Sequence, residues 1–246
     1  MLKNIHGWCL LVLVLLWASQ AQVRAAGVEG LVNDKLSSLH SYLAVISFSP
    51  AVELELVIWQ QGESWRQEWI LGKDDSKLLL AAVGKGFNFL AAYPDREGAG
   101  FPLLQLWYNS KGDFGWLSPG LELDKRGYAF QRDLPCQVLG GSGPGAAQVW
   151  VDVQQNLPRR LVLPSGQQLD WRQYQEVGNI PLPHLVRIQS KNLRLEGDIV
   201  WKAVNTPFPQ RLFLRDSVPQ GQAPIEASQA TRQVLHELSS LLPRVD

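Results

Sequence analysis

Acid–base, nucleophilic or metal chemistry needs His, Cys, Asp or Glu side chains at workable spacing, and this chain offers few such arrangements. Of its four histidines, His6 falls in an N-terminal apolar segment, and His40, His184 and His236 are separated by whole elements. None of the short spacings by which two imidazoles share a metal occurs. Cys136 follows Pro135 without any nucleophile signature around it and is expected to be a buried, idle thiol. Asp74-Asp75 sit in a predicted hairpin turn, where short carboxylates favour local hydrogen bonds over acid–base pairing. The run GGSGPG at 140–145 lacks the strand-then-helix setting of a phosphate loop. No nucleophile, base and orienting group can be assembled, so hydrolysis is a remote third reading. The expectation is a protein without catalytic residues, metal or cofactor.

Tryptophan stands out instead. The chain has ten, of which Trp59, Trp65, Trp69, Trp107, Trp116, Trp150, Trp171 and Trp201 lie beyond residue 25. One account is that large aromatics fill an all-β core. The other is that they line a greasy cavity able to hold acyl chains, each buried methylene contributing ~0.8 kcal/mol. The candidate cavity residues are Trp65, Trp69, Phe87, Phe89, Trp107, Trp116, Trp171, Ile199 and Trp201.

The elements that position these residues are mainly strands. From Gln148 to Phe213, runs with two-residue alternation follow one another with turn chemistry between them: Asn156-Leu157-Pro158, then Pro164-Ser165-Gly166. Such short connections leave no room for a crossover helix and predict an antiparallel meander. The segment 176–183, with Gly178, Pro181 and Pro183, is expected as a longer connection. In the last run Leu193, Leu195, Gly197, Ile199, Trp201 and Ala203 share one side, while Arg194, Glu196, Asp198 and Lys202 share the other. Upstream, strands are predicted at 42–48, 52–58, 65–71, 78–83, 87–93, 103–108 and 128–132, with Gly84-Lys85-Gly86 as a tight hairpin. A helix is predicted over 28–40, its apolar face carrying Val28, Leu31, Val32, Leu36 and Leu39. The stretch 109–127 is too long to be merely solvated and is expected to lie across the sheet, and GGSGPG is expected to be the most flexible part.

Asn156-Leu157-Pro158, Tyr174, Ile180-Pro181-Leu182-Pro183, the strand through Val200 and Trp201, Val204-Asn205-Thr206-Pro207 and Phe213 together resemble the C-terminal half of the periplasmic outer-membrane lipoprotein carriers, the LolA/LolB-like family. The chain looks like a divergent member, similar elsewhere only in its strand pattern. The resemblance implies an incomplete, strongly curved antiparallel β-barrel, a half-barrel, with helices covering its concave face. It also implies a soluble carrier that binds lipid or the acyl chains of lipoproteins, works as a monomer and meets an inner- or outer-membrane complex. The rival is a periplasmic sensor or scaffold that uses the same fold to bind a partner protein.

Residues 1–25 have the layout of a secretory signal: Lys3 in a basic lead, an apolar run from Trp8 to Trp17, and Val23-Arg24-Ala25 at the expected cleavage point. That run has ten residues, short of the ~20 a spanning helix needs. Periplasmic export is therefore expected, the alternative being an uncleaved anchor. Without Lys3 and Arg24, 23 basic side chains become 21 against 23 acidic ones. This near-neutral, unclustered balance argues against nucleic acid as a partner. The expected organisation is one β domain over 26–215, then a polar tether and an amphipathic helix within 216–246, a tail that departs from the family's pattern and either docks on the sheet or reaches a partner.

Overall fold

Period-two alternation dominates the chain, and the computed structural model, which describes residues 34–48, 54–72, 77–86, 88–93, 121–122, 124–218, 231 and 234–235, turns nearly all of it into strands. They are β1 (Ser41–Phe48), β2 (Leu54–Gln61), β3 (Ser64–Leu71), β4 (Lys77–Lys85), β5 (Asn88–Tyr93), β6 (Arg126–Gln131), β7 (Leu134–Gly140), β8 (Gln148–Asp152), β9 (Pro158–Val162), β10 (Gln168–Val177), β11 (Ile180–Gln189) and β12 (Arg194–Val204). All belong to one sheet, in the order β5-β4-β3-β2-β1-β12-β11-β10-β9-β8-β7-β6, and every pair is antiparallel.

The topology is two meanders joined at their chain ends. The chain steps outward from β1 to β5, resumes at the opposite edge with β6, and walks back to place β12 beside β1. That seam runs from Tyr42 opposite Val204 to Phe48 opposite Gly197. β5 and β6 are the two edges, so the sheet stays open and the expected half-barrel is what forms.

One face of this sheet is buried. Inner-face side chains from β1 to β4 and from β7 to β12 join a single apolar cluster. Strands so far apart in the order can share a core only if the sheet curves onto itself. Leu36 of the helical turn α1 (Asp34–Ser37), Leu39 just after it and helical Val234 are also members of this core. Val28, Leu31 and Val32 of the predicted helix lie outside the described residues, as do the predicted strand at 103–108 and Asp74-Asp75.

Curvature needs room at the seam, and Gly197 supplies it. A Cβ there would lie 2.7 Å from Ile46 Cγ2 and 2.9 Å from Cδ1 and Cε1 of Phe48. The Phe48 ring cannot retreat freely, because it stacks on Trp69 with centroids 6.0 Å apart.

On the outer face, residues 210–218 run back across β3 and the strands beyond it. The Arg66 guanidinium donates to Ser217 Oγ at 2.8 Å and to the carbonyls of Ser217 and Leu212 at 3.1 and 3.3 Å, while Glu68 accepts from its Nε at 2.8 Å. Val218 packs there against Ala81, Val83 and Tyr93.

Three expectations need correction. Residues 176–183 are not a long connection: Gly178 and Asn179, with φ of 57° and 67°, make a two-residue turn, the mirror-image geometry that suits a hairpin. Pro181 and Pro183 then sit inside β11, where β12 does not pair because its register begins only at Leu185. A proline without a donor is harmless on such an unpaired side. Second, Gly84 and Lys85 continue β4, so the hairpin is shorter than Gly84-Lys85-Gly86. Third, Leu134–Gly140 is a strand that the alternation of LPCQVLG should have revealed. The GGSGPG run starts inside that strand: a Cβ on Gly140, its last residue, would approach the Ala147 carbonyl oxygen to 2.2 Å, whereas residues 142–145 are exposed and Gly143 has open space around it.

Replacing Gly197 by Ala is expected to cost about 1–3 kcal/mol, the usual penalty for overpacking a filled site. Urea melts read it directly; an unchanged midpoint would show that the seam has slack.

Candidate functional site

Register places the candidate residues. Ile199, Ile46, Leu56, Trp69 and Leu80 oppose one another in turn across β12, β1, β2, β3 and β4. A neighbouring row is Trp171, Val186, Gly197, Phe48, Leu54 and Leu71. A third is Trp201, Ala44, Ile58, Gln67 and Ala82, and a fourth Tyr42, Gln60, Trp65 and Gly84. Directly opposed residues share a face. Trp65, Trp69, Trp171, Ile199 and Trp201 therefore all belong to the inner face. Phe89 is a strand residue opposite Gly84. Phe87, Trp107 and Trp116 lie outside the described residues.

The first four are tightly enclosed, at 1%, 3%, 0% and 2% exposure for Trp65, Trp69, Trp171 and Ile199. Trp201 is half-buried; its ring meets Tyr42 edge-on at 5.4 Å and its indole N–H donates to the Pro183 carbonyl at 2.9 Å. That bond bridges β12 to the proline-bearing end of β11, where their ladder is absent. Trp59 and Trp150, one residue out of phase, face outward instead, each beneath a guanidinium: Arg66 at 5.9 Å and Arg160 at 5.1 Å from the ring centroid.

Two inner-face features escaped the sequence. Gln60 and Gln67 are both 0% exposed among these apolar rows. Gln60 Nε2 donates to the Gly62 carbonyl at 2.8 Å, but among the described residues Gln60 Oε1 and both polar atoms of Gln67 reach no hydrogen-bond partner. A buried carboxamide without partners costs free energy that a polar group from outside would recover. The second feature is at the β6 edge. Arg126, Tyr128 and Phe130 oppose Leu139, Gln137 and Pro135, which places them on the inner face, yet Tyr128 and Phe130 are 80% and 72% exposed. The alternation of RGYAFQ was a legible signal for them; the buried glutamines had none, because glutamine in a strand usually faces water.

The titratable groups lie elsewhere. Cys136 is fully buried on the outer side of β7, and burial first of all pushes its thiol up, away from reactivity. The Nδ1 atoms of His40 and His184 each lie 3.1 Å from a backbone carbonyl two residues back. Among the described residues no three His, Cys, Asp or Glu side chains gather closely enough to hold a metal. Outer-face charges pair across strands. Asp152 takes the Arg159 Nη2 at 2.7 Å and the backbone N–H groups of Gln154 and Gln155 at 2.7 and 3.1 Å. Burial opposes its ionisation, but these donors outweigh it and hold the carboxyl below the usual range. Asp170 lies between Arg160, at 2.6 Å, and Arg172, at 3.0 Å. Tyr174 donates its hydroxyl to the Pro158 carbonyl, and burial raises its phenol.

No family model and no curated protein matches the chain. Among solved structures it is similar to a LolA superfamily protein from Nitrosomonas europaea, at 11% identity and a TM-score of 0.47, covering 78% of this chain and 99% of that one. It is also similar to a domain from Vibrio parahaemolyticus described as outer membrane lipoprotein-sorting, at 13% identity and a TM-score of 0.42, covering 80% and 95%.

Two outcomes test this geometry. Gln67→Leu, which removes two buried polar atoms from an apolar row, is expected to raise stability by roughly 1–2 kcal/mol in urea melts; a loss would mean that the carboxamide is satisfied in solution. Asp152 has a lowered folded pKa, so its contribution is full above the ordinary aspartate value of about 3.9 and disappears as pH falls through the folded value. Asp152→Asn should therefore cost roughly 3 kcal/mol near pH 7, with the gap to wild type closing in strong acid. A gap that is constant from pH 7 to pH 2 contradicts the linkage.

Proposed function

We propose that the protein is a non-catalytic carrier in the periplasm, exported by its first 25 residues, that holds a lipid or the acyl chains of a lipoprotein against the inner face of the sheet. The observation that carries this reading is that the inner face is apolar from strand to strand and emerges uncovered at the β6 edge as Tyr128 and Phe130. A core that only had to be filled would end where it meets water.

Among the described residues, Leu36, Leu39 and Val234 pack against the inner face. An acyl chain that displaced them would exchange one apolar contact for another, so loading would leave the face dry. About ten enclosed methylenes would contribute roughly 8 kcal/mol, enough to outlast the cost of ordering the complex over part of its range. The polar end of the ligand, an ester or amide, is what the Gln67 carboxamide suits, since it can donate and accept at once. The protein acts as a monomer and receives or delivers its cargo at a membrane complex.

Native mass spectrometry of the mature protein purified without detergent is the decisive measurement, with acyl species expected on it. An empty protein accompanied by a stoichiometric protein partner would favour the scaffold reading instead. Tyr128→Ser with Phe130→Ser provides the matching binding test. Both residues are exposed, so the urea midpoint should shift by no more than the equivalent of ~0.5 kcal/mol, while fluorescent fatty-acid affinity should fall by about tenfold, or ~1.4 kcal/mol. Unaltered affinity would remove the β6 edge from the binding surface.

A further inference from the structure

The outer face carries a groove of 450 Å³ whose walls include Arg132, Arg159, Arg172, Arg187, Gln173 and Glu196. We infer that this groove is a binding site for a doubly charged oxyanion of the phosphate class. Its charged walls lie on the outer side of the sheet, with Trp171 of the inner face also bordering it, and the site stands whether or not an acyl chain binds the inner face.

The argument is a count of charge. Four guanidiniums and one carboxylate line the groove. Three of those arginines are paired: Arg159 with Asp152, Arg172 with Asp170, and Arg187 with Glu196, whose Oε2 accepts from Nε at 2.8 Å. Asp170 is shared with Arg160, so five guanidiniums surround three carboxylates and two positive charges remain. Arginine cannot shed its proton to relieve this. The strain is visible at Arg172, whose pKa is lowered by burial first and then by the charges of Arg187 and, more weakly, Arg132. Asp133, next to Arg132 in the turn, and Asp198, opposite Leu185, are exposed and do not line the groove.

Arg132 holds the open end. It sits in the β6–β7 turn with φ of 57°, is exposed, and pairs with no carboxylate among the described residues. Planar forks from several sides match phosphate oxygens in pairs. The volume lies within the roughly 300–1,000 Å³ of small-molecule sites. It suits an inorganic phosphate or the phosphate of a lipid headgroup at a membrane surface.

Calorimetric titration of the full mature chain with inorganic phosphate at low salt should give one saturable site. Arg132→Gln with Arg187→Gln should weaken it at least tenfold while acyl affinity stays unchanged. Glu196→Gln, which removes the lining carboxylate, should tighten it several-fold, and Lys191→Gln, on the β11–β12 turn, should do nothing. Vesicles of phosphatidic acid that bind and compete with phosphate, where phosphatidylcholine vesicles do not, identify the headgroup as the source; phosphate binding without vesicle binding identifies the free ion. Absence of a saturable phosphate site overturns the inference. So does equal binding by wild type and the double arginine variant, or weaker binding in Glu196→Gln.

Discussion

A sheet of twelve strands with one apolar face and, among the described residues, no second sheet to lie against must find its cover in its own curvature. Everything else in this fold follows from that constraint. Leu195 and Ile188, Leu169 and Leu161, Val149 and Leu139 form one strip of opposed side chains across six strands, and Ile199, Ile46, Leu56 and Trp69 continue the wall on the other side of the seam. At the seam Gly197 leaves the space that Ile46 and Phe48 fill.

The two faces then divide the chemistry. The buried part of the inner face holds polar side chains such as the Gln60 and Gln67 carboxamides, which can be enclosed without ionisation. The outer face carries pairs such as Arg187–Glu196 and Arg159–Asp152, whose partners come from neighbouring strands or the turn between them and so tie them together. Arg66 does the same for the chain after β12, fastening residues 212–217 across β3 by donating to three acceptors there.

Much of this was legible in the sequence, because alternation is a local property. The dry side of β12 was read correctly from Leu195 to Trp201, and turns such as Asn156-Leu157-Pro158 announce themselves through residues that adopt special dihedrals: Asn156 has φ of 55°. The misreadings also have physical causes. Pro181 and Pro183 looked like strand breakers because a sequence does not reveal that β12 leaves that side of β11 unpaired. Which alternating face lies inside, the question that separates Trp59 from Trp65, is decided only by the register. The arginine groove was invisible for the same reason: Arg132, Arg159, Arg172 and Arg187 are spread over 56 positions and meet only through strand pairing. Gln67 was passed over since its type argues for solvent.

The seam between β1 and β12 has a kinetic side. It pairs Tyr42 with Val204, so the central contact of the sheet is also its most distant in sequence. The hairpins within each meander can form from local chain, but the step that unites them must bring together residues 149 to 162 positions apart. Non-local pairing of this kind is slow and leaves strand edges unpaired in the interval. A chain emerging with β1 first would hold that strand half-satisfied until β12 arrived, so the sheet is completed only after Val204 has emerged.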